Sequence, residues 1–192
     1  MISAIVLAAG QSKRMGGENK LLKKYKKKYL INHILSTLIK SEINKIIVVL
    51  GFQKSKVRKI IVKNKKISFV YNRNYESGMA SSIKAGLKKI SKKNIGFLIV
   101  QADMPFISKK IINSLYYAIK NNGQEIVAPI YKRNMGNPIG FKKSMTRILN
   151  KTSGDSGAKK IILRNKKKLG LINVNSKSIF KDFNTKKDFL LN

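Results

Sequence analysis

Three short apolar runs set the limits on this chain. Residues 2–7, Lys45–Leu50 and residues 95–100 each read as a strand too apolar to keep a face in water. A strand buried on both sides needs a covering layer above and below, and the segments between the runs have the spacing to supply it. Leu30–Ile39 carries apolar residues at 30, 31, 34, 35, 38 and 39, a helical period. Residues 53–62 read as a second helix, and residues 79–90 as a third through Met79, Ile83, Leu87 and Ile90. Ser108 is placed to cap a helix that runs to about Asn121. With Ile67–Tyr71 as a further strand, this alternation predicts an α/β fold: a doubly wound, mostly parallel, Rossmann-like sheet.

The second half reads less regularly. Strands are expected at 125–131, 136–141 and 169–174, and helices at 141–149, 156–163 and Lys186–Leu191. No internal repeat or long linker interrupts the chain, so one domain over residues 1–192 is expected.

The first strand runs into Ala8-Ala9-Gly10 and then a polar loop with two spaced cations, Arg14 and Lys20. Small residues allow close approach to a ligand, and loop N–H groups can face anionic oxygens. Two familiar phosphate loops do not fit. A P-loop would need Gly five residues after Gly10, where Met15 stands, and the dinucleotide fingerprint would need Gly where Ser12 stands. An ordinary surface turn is the competing reading. In doubly wound sheets, ligands bind outside the carboxyl ends of the strands. The apolar run 95–100 leads to Asp103-Met104-Pro105, which puts Asp103 on the same rim as the opening loop.

Composition narrows the chemistry. There is no Cys, hence no disulfide, thiol nucleophile or thiolate metal site. The one His, His33, falls among polar positions of its helix and is read as solvated. No apolar run reaches the roughly 18 residues of a membrane span, and no basic start precedes the first strand, so a cytoplasmic address is expected. The net charge of +34 invites a nucleic-acid reading, but 36 of the 42 cations are Lys, scattered over several segments. Specific recognition favours the rigid guanidinium. A compositional bias toward Lys, Asn and Ile explains the charge without a specific nucleic-acid partner. Only eight acids are present, so carboxylates at element ends stand out: Asp103, Asp155 and Asp182.

Arg14 and Lys20 offer cations to a polyphosphate, and Asp103 offers a hard oxygen ligand to Mg²⁺. Nucleotidyl transfer needs that set. An acceptor that is itself a phosphate needs no general base. The competing class is a binding protein, either a cofactor carrier or a polyanion binder held by its lysines.

Six stretches carry a family resemblance. They are Leu7-Ala8-Ala9-Gly10 with Ser12, Arg14-Met15-Gly16 and Asn19-Lys20; the segment from Gly78 to Leu87; Asp103-Met104-Pro105; Gly136-Asn137-Pro138; Gly154-Asp155-Ser156-Gly157-Ala158-Lys159; and Asp182-Phe183-Asn184-Thr185 with Asp188. In this order they resemble the molybdenum cofactor cytidylyltransferases of the MobA-like NTP transferase superfamily. The resemblance implies the nucleotide-diphospho-sugar transferase fold, Mg²⁺, and transfer from CTP to a molybdopterin-type cofactor with release of pyrophosphate. Ala9, where a guanylyltransferase typically has Gly, is what implies CTP. A sugar phosphate, isoprenoid phosphate or phosphocholine acceptor, or GTP as donor, is the alternative within the fold.

By the same resemblance, Leu7, Ala8, Ala9, Gly10 and Ser82 would hold the nucleotide, and Arg14 and Lys20 its triphosphate. Asp103 and Asp182 would hold the metal, while Asn137, Pro138 and Asp155 would face the acceptor. A transient contact with a molybdoenzyme or its chaperone would follow, with no membrane partner. Asn184 and Lys186-Lys187 depart from the family's usual Asp and Pro-Glu.

Overall fold

The computed structural model describes residues 1–121, 123–155 and 158–191, with the backbone alone for Lys159, Lys160 and Leu191. The chain runs β1 (Ile2–Ala8), a hairpin of β2 (Lys24–Tyr25) and β3 (Lys28–Tyr29), α1 (Leu30–Ile39), β4 (Lys45–Leu50) and α2 (Lys54–Ile60). It continues with β5 (Ile67–Tyr71), α3 (Met79–Leu87), β6 (Gly96–Gln101), α4 (Lys109–Asn121) and β7 (Ile126–Tyr131). Then come β8 (Asn134–Met135), β9 (Ile139–Lys142), α5 (Thr146–Leu149), α6 (Lys159–Arg164), β10 (Leu169–Asn173) and α7 (Lys186–Leu191).

The sheet has the order β10-β7-β9-β6-β1-β4-β5, with β8 paired to β7. β1 lies between β4 and β6 and is parallel to both, so its backbone is fully paired and its side chains must be apolar on both faces. One face (Ile2, Ala4, Val6 and Ala8) meets Leu30, Ile34 and Leu38 of α1 and Ile112 and Leu115 of α4. The other face, with Ile5 of β1 and Ile47 and Val49 of β4, meets Ile83 and Leu87 of α3. Each Val, Leu or Ile side chain among these contributes about 1.5–3 kcal/mol on burial. β9 runs antiparallel between β6 and β7, and Phe97 stacks on its register partner Phe141 at 5.8 Å. The doubly wound, mostly parallel sheet is therefore as the sequence predicts. From β1 the chain steps to β4 on one side and later to β6 on the other, so the strand order reverses at the β1–β6 boundary. In open α/β sheets that crevice is where ligands bind.

Several expectations need correction. Phe141 is a buried strand residue of β9, not the start of a helix. The expected strand 136–141 begins only at Ile139, after a cis Asn137–Pro138 bond. Helix formation after it is confined to a 3₁₀ turn (Lys143–Met145) and α5. His33 is half-buried rather than solvated. Its Nε2 lies 2.9 Å from the Tyr25 carbonyl and its ring 5.4 Å from that of Tyr25, so it ties the β2–β3 hairpin to α1. Ser108 does cap α4, accepting from the Ile111 N–H at 3.3 Å. Part of the expected helix 156–163 falls on Ser156 and Gly157, which lie outside the described residues; α6 covers the rest.

Candidate active site

The first wall of the crevice is the turn after β1. The Ala9 carbonyl accepts the Phe52 N–H at 3.2 Å, which draws the end of β1 against the end of β4. Gly51 is required there: a methyl on it would stand 2.7 Å from the Cβ atoms of Ala9 and Tyr75 and 2.8 Å from the Ala9 carbonyl oxygen. The following loop is pinned at two points. Met15 is buried, and buried Asn19 accepts from the Leu21 N–H (3.1 Å) while donating to the Phe52 carbonyl (3.3 Å). Arg14 stands exposed just before the first anchor, facing the cleft, and makes no ion pair among the described residues. Lys20 follows directly on the second anchor, its N–H donating to the Ser12 hydroxyl at 3.2 Å.

The second wall is the end of β6. The Ala102 N–H bonds the Leu7 carbonyl (3.3 Å), so the chain leaves both central strands at the same height. Asp103 forms an ion pair with the Lys20 ammonium, and both side chains are about 15% exposed (14% and 16%). The Lys20 ammonium also donates to Asn184 Oδ1 at 3.0 Å. Asn184 belongs to a strap over residues 182–185 that crosses this rim. The Phe183 N–H bonds the Asp103 carbonyl (3.0 Å), and the buried Phe183 ring sits among Tyr25, Phe106 and Phe189 at 5.1, 5.7 and 4.9 Å. Asp188 fixes the turn into α7, accepting from the Asn184 and Thr185 N–H groups at 2.7 Å each and from the Thr185 hydroxyl at 3.1 Å. Those donors, the Thr185 N–H foremost and then the Asn184 N–H, with the nearby Lys20 charge adding to them, hold the Asp188 carboxyl below its ordinary value.

The third wall is the start of α3. Ser82 is buried at the cleft and accepts from Asn72 Nδ2 (3.0 Å), which also donates to Ser81 (2.7 Å). Asp155 reaches across from its own loop, and its carboxylate accepts the Met79 N–H at 3.1 Å. It therefore caps α3 rather than the helix that follows it in sequence.

These walls enclose a cleft of about 500 Å³. It is lined by Leu7, Ala8, Ala9, Gly10, Arg14, Lys20, Ser82, Asp103, Asp155 and Asp182, all anticipated from sequence. Asn137 and Pro138 are not brought to its lining. They lie where the Asn137 N–H bonds the Ile179 carbonyl (3.0 Å), with Gly136 packed on Ile179. Sequence reasoning set Asn184 aside as a departure, yet the geometry makes it a partner of Lys20. Gln11 and Glu76, which bond each other at 3.2 Å, and Asn72 carried no signal beyond being polar.

Among the described residues no group of three or more Asp, Glu, His or Cys could hold an ion. Glu76 and Asp155 line the cleft from the α3 side, and two carboxylates, Asp103 and Asp182, line it from the β6 and strap side. That is the quota for Mg²⁺ or Mn²⁺ that completes its shell with phosphate oxygens and water, so the residues fit.

Residues 4–169 match the family model described as the MobA-like NTP transferase domain. The chain belongs to this family. A curated relative, the probable molybdenum cofactor guanylyltransferase of Methanosarcina mazei, is 29% identical over 140 residues, 71% of this chain and 61% of that one. The match thus spans less than two thirds of that relative's length. Among solved structures, a homologue of Mycobacterium tuberculosis Rv0371c from Mycobacterium sp. strain JC1 superposes with a TM-score of 0.87 at 22% identity, covering 99% of this chain and 93% of the other. Rv0371c from M. tuberculosis H37Rv in complex with manganese gives 0.82 at 20% identity, with 99% and 96% covered. At these identities the likeness establishes the fold of this NTP transferase domain. No helix among the described residues is long and apolar enough to cross a membrane.

Proposed function

We propose that this domain transfers a nucleoside monophosphate from a nucleoside triphosphate to the terminal phosphate of a molybdopterin-type cofactor, with CTP as donor and Mg²⁺ as the metal. One observation carries the reading. The cations of the β1 loop, Arg14 and Lys20, and the carboxylates Asp103 and Asp182 line the same cleft where the strand order reverses. An acceptor phosphate oxygen attacks the α-phosphorus, the bond to the β-phosphate oxygen breaks, and pyrophosphate leaves. Arg14 and Lys20 offset the negative charge that grows on the leaving group. Ala8, Ala9 and Gly10 give the base a surface without bulky side chains, and Ser82 supplies a hydroxyl. Asp155 sits on the far rim, toward the acceptor. Held by Asp103, Asp182 and the triphosphate, a divalent ion would supply further charge neutralisation. Manganese in the Rv0371c complex supports such an ion in this fold.

The donor base has two readings. Ala9 stands where, by the family resemblance, a guanylyltransferase typically has Gly, which supports CTP. The name of the M. mazei relative supports GTP. Pyrophosphate release with each triphosphate, in the presence of Mg²⁺ and molybdopterin cofactor, decides between them. We expect turnover with CTP to exceed that with GTP by at least about tenfold, the effect of roughly 1.4 kcal/mol in the transition state. Equal rates would remove the role given to Ala9. Asp103→Ala should lower turnover by about a hundredfold or more while the chain still folds. Undiminished turnover would remove the metal assignment.

A further inference from the structure

The Lys20 ammonium and a divalent cation need the same carboxylate, since Asp103 is already engaged by Lys20. The ammonium is held on that spot from two sides. Asn184 accepts its second hydrogen bond at 3.0 Å, and Asn184 is itself set by Asp188 through its N–H at 2.7 Å. At the other end the Lys20 backbone is fixed by the Asn19 anchor and the Ser12 hydroxyl. Only the flexible four-carbon arm is left to move, and the cleft it lines also holds Arg14, Lys13 and the turn after β1, where the triphosphate would lie.

We propose that Lys20 is a placeholder cation that imposes order on loading. It bars a bare divalent ion from Asp103, and the arriving triphosphate draws the ammonium off the carboxylate and onto its own oxygens, so the metal enters with or after the nucleotide. The inference rests on the reading of this cleft as a metal–nucleotide site. The exchange keeps every charge paired. Asp103 trades one cation for another, and Lys20 trades a carboxylate for phosphate oxygens. Neither group is left bare in a half-buried site, where an unpaired charge is costly. Asn184 serves as the positioning residue. Its neutral amide holds the ammonium without offering the carboxylate that an Asp would add, which would give a bare dication a further foothold.

The test is Mn²⁺ binding followed by the loss of the free-ion electron paramagnetic resonance signal, with and without CTP, and with CTP–Mn²⁺ alone as the blank. A unit charge within about 4–6 Å changes a carboxylate's affinity for a proton by about 10- to 1000-fold, and a dication responds to the same field. Lys20→Met should therefore bind Mn²⁺ in the absence of nucleotide at least about tenfold more tightly than the wild type. Lys20→Gln, which keeps a donor for Asn184, should do the same, so the result does not depend on one variant folding. Adding Asp103→Asn to Lys20→Met should abolish the gain. CTP should tighten Mn²⁺ binding by the wild type much more than by Lys20→Met. Wild-type affinity for Mn²⁺ alone equal to that of both variants would overturn the proposal, as would a gain that survives Asp103→Asn. If CTP does not bind the wild type but the Lys20 variants still gain Mn²⁺, the competition at Asp103 stands and the nucleotide reading falls.

Discussion

Asp188 is a carboxylate whose work is done through another residue. It takes three hydrogen bonds from Asn184 and Thr185, and so aims the Asn184 amide at Lys20. Because those donors favour the ionised form, its pKa is lowered in the folded chain from the ordinary 3.8. The sign follows from linkage. The stabilisation is complete above the ordinary value and is lost as the pH falls through the lowered one. Asp188→Ala should cost about 1 kcal/mol at neutral pH, the usual scale for removing a helix-start cap. The difference from wild type should shrink at an acidic pH below the ordinary 3.8, as the folded carboxylate protonates. Urea denaturation at the two pH values measures both. A constant difference would mean that the residue acts by packing alone.

The elements meet at Gly51, where the ends of β1 and β4 come too close for a side chain. Two of the three nearest atoms are Cβ atoms and the third is a backbone oxygen, so little can give way. Gly51→Ala should destabilise the fold by about 1–3 kcal/mol and weaken nucleotide binding, because the strain falls on the turn that carries Ala9 and Gly10. The denaturant midpoint and a nucleotide titration check the two effects.

At this scale the sequence was most legible where physics left one choice. The apolar runs of β1, β4 and β6 had to be central strands, and the rim holding Arg14, Lys20 and Asp103 followed from them. Both hairpins were missed for a definite reason. Their turns place Lys26-Lys27 and Lys132-Arg133 at positive φ, where Gly or Asn is the usual signal. Phe141 was read both as the end of a strand and as the start of a helix, because a single buried aromatic fits either equally well; only the strand holds. Asn184 was legible only as an odd substitution, since nothing in its neighbourhood in sequence points to Lys20.

Across the whole molecule the cations behind the +34 charge are scattered along the chain rather than focused on the cleft. Their attraction for polyanions should therefore be long-ranged and non-specific. Binding to an arbitrary DNA duplex should fall at least about a hundredfold between about 50 and 200 mM salt, with no preference among sequences. Fluorescence anisotropy reads this directly, and affinity that persisted at the higher salt would assign the surface a nucleic-acid role.

The cleft itself has a different consequence. Its lining comes from five separated parts of the chain: residues 7–21, 75–82, 101–103, 155 and 182–184. A ligand that fills it acts as a non-covalent cross-link between the first strand and the strap near residue 183, holding closed loops that span most of the polypeptide. Amide exchange should then slow furthest from the bound molecule in sequence as well as beside it, and a protease aimed at the strap should find its target withdrawn.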